Sequence, residues 1–293
     1  MRVYVTGASG FVGGHVVREL RAAGADVGDE WIDLLDRERL RAAIRGRDAV
    51  FHVAALYSYD APAAELERVN VEGTRVVVEL CREERVGRLV HTSTAGTCGP
   101  VAGRAATEED EPPAWELRVA YKRTKLEAER IALAAGAVVV NPTTPVGDGD
   151  RFPTPTGRMI EAVATGRYRA YTDTGLNVVD VRDVARGHLL ALERGRPGER
   201  YLLGGADLTL RELFAAVADL AGVPRPRRRI PYAAVAALGR TGLVNRDESV
   251  LARLPAYFSW LKAANELGYS PGPVTPALAR AVAEALDHAA FLA

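Results

Sequence analysis

Four short runs rich in β-branched residues, Val3 to Thr6, Ala49 to Ala54, Arg88 to Thr92 and Ala137 to Val140, alternate with stretches of helical period. Those stretches are Phe11 to Ala23, Arg37 to Arg45, Ala63 to Glu84 and Tyr121 to Ala135. Flat apolar runs suit strands covered on both faces, and their alternation with helices is the pattern of repeated βαβ units. The chain is therefore expected to be α/β, with a doubly wound parallel sheet. The second-strand region is short: only eleven residues, Ala25 to Leu35, separate Gly24 from Asp36. Either one strand is lost there or two are compressed.

The first run ends in Thr6-Gly7-Ala8-Ser9-Gly10-Phe11-Val12-Gly13 and then opens a helix. Gly7 permits a tight turn, Gly10 lets backbone approach a pyrophosphate, and Gly13 lets the helix pack close to the strand. The helix start adds oriented N–H groups and a partial positive charge, so Ser9 to Gly13 form a candidate anion cradle. This makes the sheet Rossmann-type. Ribose and adenine recognition calls for acidic residues near the second strand: Asp29 and Glu30 are candidates for the ribose, and Asp33 with Leu34 for the adenine. With no Arg or Lys inside that segment, NAD is favoured over NADP.

Tyr121 and Lys125 lie four apart, on one helical face. A free tyrosine is a poor base near neutral pH, and an adjacent ammonium is expected to lower its pKa toward useful range. Thr92, Ser93 and Thr94 leave the strand before that helix, and residues just past strand ends line the ligand crevice of a doubly wound sheet. Thr94, with Ser93 in reserve, would hydrogen-bond the substrate oxygen whose proton Tyr121 handles. The candidate catalytic set is Thr94, Tyr121 and Lys125.

Beyond about Asn141 the chain turns to Pro- and Gly-rich connections. A further strand, Asn177 to Val181, and a helix, Asp183 to Arg194, are expected to return to the main sheet, and Tyr201 to Leu203 to join a smaller lobe. Residues 1–146 with about 176–196 would then bind the dinucleotide. Residues about 147–175 with 197–293 would form a C-terminal substrate lobe, in which Tyr168, Tyr171, Tyr232, Tyr257, Phe258 and Trp260 either line a pocket or pack.

Basic and acidic side chains balance at 38 each, so no long-range field favours nucleic acid or an anionic membrane. The run Arg225 to Arg229 reads as a solvated loop. Two cysteines, Cys81 and Cys98, exclude a disulfide framework. The histidines lack metal-ligand spacing, so no metal is expected. With no leader-like start and no span-length apolar run, a cytoplasmic location is expected.

Together these motifs resemble the extended short-chain dehydrogenase/reductase superfamily of epimerases, dehydratases and dihydroflavonol-reductase-like enzymes. The likeness covers almost the whole chain. It is densest to the group labelled hopanoid-associated sugar epimerases, through Tyr121 to Lys125, Asn141 to Gly147, Pro153 to Arg158, Asp173 to Asn177 and Gly187 to Gly195. The resemblance implies that Val53, Ala54 and Ala55 line the cofactor, that Pro142, Thr143 and Thr144 sit near the nicotinamide with Thr92, Tyr121 and Lys125, and that the chain pairs through Ala63 to Glu84 and Tyr121 to Ala135 as a homodimer. It also marks departures. Asn141 replaces an arginine common in sugar-nucleotide epimerases, and the Arg-Asp-aromatic pattern that helps hold a substrate pyrophosphate is missing, leaving Arg158, Arg167 or Arg169 to compensate. Three functions follow: a reductase or dehydrogenase of a small molecule, a sugar epimerase or dehydratase, and a non-catalytic nicotinamide-binding regulator.

Overall fold

A computed structural model describes residues 1–292. In chain order the strands are β1 (Arg2–Thr6), β2 (Asp26–Gly28), β3 (Ala49–His52), β4 (Arg88–Thr92), β5 (Val138–Pro142), β6 (Thr144–Val146), β7 (Ala170–Thr172), β8 (Gly175–Asp180), β9 (Arg200–Leu203), β10 (Ala206–Thr209) and β11 (Arg228–Ile230). The helices are α1 (Phe11–Ala22), α2 (Arg37–Ile44), α3 (Ala63–Leu66), α4 (Gly73–Glu83), α5 (Ala120–Ala134), α6 (Pro155–Ala164), α7 (Val181–Arg194), α8 (Leu210–Ala221), α9 (Tyr232–Thr241), α10 (Arg246–Leu251), α11 (Leu261–Leu267) and α12 (Thr275–Leu292). A π-helical stretch, Glu67–Glu72, joins α3 to α4.

Six strands pair in parallel in the order β2-β1-β3-β4-β5-β9. Chain direction across the sheet reverses between β1 and β3, so a ligand crevice opens beyond their C-terminal ends. The β-branched side chains of β1, β3, β4 and β5 are buried on both faces, which is why these runs lack polar alternation.

The shortened segment loses a strand. Only β2 forms, at the sheet edge, and the chain from Asp29 runs as coil to Asp36, whose carboxylate accepts the Arg39 N–H at 3.1 Å and caps α2. Between the end of β2 and this cap the chain from Asp29 to Leu35 pairs with no strand; instead it turns inward to bury Ile32 and Leu34.

Two expected strands exchange places. The strand near 177–181 is β8, and it pairs with β6 and β10 in a separate three-stranded sheet, although the helix after it, α7, does pack on α1 and the main sheet. Tyr201 to Leu203 belong to β9, which pairs with β5 in the main sheet. Burial explains the exchange. All three residues of that run are fully enclosed, as a strand between two helical layers must be, whereas β8 leaves Leu176 and Asp180 partly accessible.

Candidate active site

The glycine turn is built as its spacing requires. Gly7 has φ +70° and lies so close to β3 that a Cβ there would come within 2.6 Å of the Ala54 backbone. A Cβ on Gly13 would meet the Gly7 carbonyl oxygen at 2.0 Å, so only glycine lets α1 start against the turn. The Gly10 N–H closes the loop on the Gly7 carbonyl at 3.0 Å. No side chain caps α1. Ser9 and Gly10 are exposed, Phe11 and Val12 half-buried, and Val53, Ala54 and Ala55 follow β3 on the same edge. An uncapped helix start facing a cradle that any side chain would fill fits a dinucleotide pyrophosphate.

The acidic candidates do not converge. Asp29 pairs with Arg21 at 3.0 Å, and Glu30 contributes its carbonyl to the Tyr4 hydroxyl at 2.9 Å. Asp33 is exposed and faces Arg68 at 3.8 Å. Leu34 is buried in the core formed by Ile32, Leu40 and Leu80, with its side chain over Gly73. Arg21 and Arg68 thus bring cations to this segment from α1 and the π-helical stretch. The lack of a basic residue within Ala25 to Asp36 therefore does not separate NAD from NADP.

Thr94, Tyr121 and Lys125 come together beyond the ends of β4 and β5. Tyr121 and Lys125 are buried on the first turns of α5, and Thr94 is half-buried at the start of the turn after β4. The Lys125 ammonium donates to the Thr92 carbonyl at 2.8 Å, and burial lowers its pKa to about 8 against the opposing pull of Glu129. The expected lowering of the Tyr121 pKa is not found. Burial, then the neighbouring Tyr57, push the phenol well above its ordinary range, and only the Thr94 hydroxyl pulls the other way. The reason is geometric: Lys125 spends its charge on Thr92, while the Tyr57 ring lies 4.7 Å from the Tyr121 ring.

A buried hydrogen-bond chain links the glycine turn to Tyr121. The Ala54 N–H donates to Thr6 Oγ1 at 3.2 Å. Thr6 Oγ1 and Thr74 Oγ1 each lie 2.9 Å from a ring nitrogen of His52, and the Thr74 hydroxyl donates to the Asn70 carbonyl at 2.7 Å. Since Thr74 gives its proton to Asn70, His52 Nε2 must be the donor and Nδ1 the acceptor from Thr6. The Asn70 amide reaches Thr124 Oγ1 at 3.2 Å, and Thr124 donates to the Tyr121 carbonyl at 3.0 Å. Asn70 also accepts the Leu56 N–H at 2.8 Å, tying down the loop after β3. A π-helical stretch, which often marks a functional position, gives Asn70 this reach.

Several site residues lay outside the reading of the sequence. Tyr57 and Tyr59 wall Tyr121, at ring distances of 4.7 and 6.0 Å, beside Leu56, Val250 and Leu251. Their one local signal is the aromatic-Ser-aromatic spacing in a loop past a strand end. The aromatics expected after Asn141 mostly pack: Phe258 is core, Trp260 donates to the Gly205 carbonyl at 3.1 Å, and Tyr168 lies against Phe214. Asn141 is fully buried and donates to the Thr94 carbonyl at 3.1 Å. Arg167 is paired with Glu161, Arg169 reaches only the Gly166 carbonyl at 3.5 Å, and Arg158 donates to the Pro153 carbonyl at 3.0 Å. Pro142 and Thr144 end β5 and begin β6, beside Thr143, whose N–H donates to the Leu203 carbonyl at 3.2 Å.

Fold and cradle define an NAD(P)-dependent enzyme of the α/β class. Residues 3–204 match the NAD dependent epimerase/dehydratase family, and the chain belongs to it, within the extended short-chain dehydrogenase/reductases. It is 35% identical to a putative dihydroflavonol 4-reductase of Synechocystis, over 95% of this chain and 93% of that one. It is 32% identical to a 4-hydroxy-2-methyl-3-oxo-4-farnesyl-3,4-dihydroquinoline-1-oxide ketoreductase of Stigmatella aurantiaca, over 94% and 93%. The crystal structure of a nucleoside-diphosphate-sugar epimerase from Pseudomonas aeruginosa superposes with a TM-score of 0.83 at 28% identity, covering 98% of both chains.

Proposed function

We propose that this enzyme reduces the carbonyl group of a small, largely apolar compound, with Tyr121 as proton donor. The observation that carries this reading is geometric: the Tyr121 hydroxyl meets Thr94 beyond the strand ends, within walls of Tyr57, Tyr59 and Leu56, so that a carbonyl oxygen set between the two hydroxyls would take the phenol proton as it gains charge. A nicotinamide cofactor held by Gly7, Ser9 to Gly13 and Val53 to Ala55 would supply the hydride. Thr94 would hydrogen-bond the substrate oxygen beside Tyr121. Lys125, fixed on Thr92, would add a positive charge to the site as that oxygen gains electron density. Two features support an apolar substrate over a sugar nucleotide: the walls of Tyr57, Tyr59, Leu56 and Val250, and the missing Arg-Asp-aromatic pattern that would help hold a substrate pyrophosphate.

The test is carbonyl-dependent oxidation of NADH and NADPH, each supplied in turn. Tyr121→Phe is expected to lower turnover by about a hundredfold to ten-thousandfold while leaving nucleotide affinity unchanged. Undiminished turnover would sink the assignment.

A sugar epimerase or dehydratase is the second reading, favoured by the likeness to the Pseudomonas aeruginosa epimerase across 98% of the chain. In that case the purified protein retains bound nucleotide and consumes none during turnover.

The division of labour, with residues 1–146 and about 176–196 holding the dinucleotide and about 147–175 with 197–293 the substrate, belongs to the same proposal, with β9 lent to the six-stranded sheet. So does a cytoplasmic location, consistent with two free, buried cysteines and with the lack, among the described residues, of a helix long and apolar enough to cross a membrane. A homodimer through α3 to α4 and α5 is proposed on family likeness, and light scattering of the purified protein tests it.

A further inference from the structure

Tyr121, Lys125 and Glu129 form a single row on α5, spaced by four. Glu129 is fully buried. A carboxylate is costly to bury unless it is paired and hydrogen-bonded, and this one is. Arg200 of β9 donates to Oε1 at 2.7 Å, and the Thr97 hydroxyl and the Asn141 amide, from the turn after β4 and from β5, each lie 2.6 Å from Oε2. Arg200 is itself held by the carbonyls of Glu108 at 2.8 Å and Asp110 at 3.0 Å. The other end of the network is the Thr94 carbonyl, which accepts the Asn141 amide at 3.1 Å and the Thr97 backbone N–H at 3.1 Å, while the single proton of the Thr97 hydroxyl goes to Glu129.

We propose that Glu129 is a positioning residue: its carboxylate, anchored by Arg200, holds Thr97 and Asn141 where they fix the backbone of Thr94, and so sets the Thr94 hydroxyl opposite Tyr121. This rests on the reading of Thr94 and Tyr121 as the pair that meets the substrate oxygen. The chemistry of the network makes it exacting. Three donors converge on two carboxylate oxygens, so Glu129→Gln leaves three donors facing one oxygen and at least one contact must open. The charge also acts along the row, since Glu129 favours the ammonium of Lys125, a group otherwise faced by the neutral rings of His52 and His91.

The experiment compares wild type, Glu129→Gln, Thr97→Val, Thr97→Ser and Tyr121→Phe. Turnover is followed with NADH or NADPH and ethyl acetoacetate as probe ketone, and amide hydrogen exchange is followed over residues 93–98. Glu129→Gln and Thr97→Val are expected to lose about tenfold to a hundredfold in kcat, with nucleotide KM within about twofold of wild type and faster exchange over 93–98. Thr97→Ser, which keeps the hydroxyl, is expected to match wild type in both. Because Thr97→Val removes only a hydroxyl, it serves should Glu129→Gln fail to fold. Wild-type kcat and exchange in a folded Glu129→Gln or Thr97→Val overturn the proposal, as does equal damage in Thr97→Ser and Thr97→Val. Retained turnover in Tyr121→Phe strikes the functional reading instead. Should the wild type not reduce the probe, exchange over 93–98 decides the proposal alone.

Discussion

At the scale of single residues, the proposed chemistry turns on two groups displaced in the same direction, toward their neutral forms. Burial holds the Tyr121 phenol protonated and brings the Lys125 ammonium down to about 8. An alkaline loss of activity near pH 8 would then belong to Lys125. The sign follows from the charge: a lowered lysine pKa means the cation is present below about 8 and is lost as pH rises through it. The kcat profile is expected to fall above about pH 8, and Lys125→Arg, which stays charged, should carry its limb beyond pH 10 even if its maximum is lower. A profile in the arginine variant that still breaks near 8 would reassign the limb. The juxtaposition of Thr94, Tyr121 and Lys125 was legible because a helical spacing and a strand-end position are local properties. Tyr57, Tyr59 and the partners of Glu129 were not: no local pattern says that a loop after β3 covers α5, and although the same spacing of four puts Glu129 on the face of Tyr121 and Lys125, nothing local says that Arg200 of β9 meets it there.

Among the elements, the proposed nucleotide cradle depends on one contact, the start of α1 against the glycine turn. The Cβ of Gly13→Ala would fall 2.0 Å from the Gly7 carbonyl, a backbone atom that cannot yield without moving the turn. Overpacking of this kind costs about 1–3 kcal/mol, and moving the turn spoils the cradle as well. Gly13→Ala is therefore expected to lower Tm and weaken NADH or NADPH binding at least about tenfold. Gly24→Ala, just past the end of the same helix, makes a useful contrast. It meets open space but has φ +80°, so it should cost about 1–2 kcal/mol and leave nucleotide binding alone. Fluorescence titration and thermal melts of both variants separate the two effects, and unimpaired binding in Gly13→Ala would contradict the cradle. Periodicity exposed the βαβ alternation and this turn, because both are written within a few residues. The exchange of β8 and β9 between sheets escaped it, since which strand pairs with β5 depends on a crossover through α7.

For the whole molecule, burial of His52, His91 and His188 around β3, β4 and α7 sets a limit on acid stability. Burial lowers all three, His52 to about 3 and His188 to about 4, with His91 also well below its ordinary value. A group whose folded pKa is depressed supports the fold above its unfolded pKa, near 6.5, and withdraws that support as pH falls, because the unfolded chain binds the proton first. At pH 5 the His52 and His188 rings then each cost about 2 kcal/mol relative to neutral pH, and His91 acts in the same direction. His52 and His188 are hydrogen-bonded, so replacing them would mix lost bonds with lost titration. His91 separates the two effects: it is 1% exposed and neither ring nitrogen has a partner. His91→Phe keeps the ring's place beside His52, whose centroid is 5.1 Å away, and removes only the titration. It should lose less stability than wild type between pH 7 and pH 5, as read from urea unfolding at the two pH values. Equal loss in both proteins between pH 7 and 5 would show that His91 takes up its proton in the folded state, and that the core around Lys125 is wetter than its packing implies.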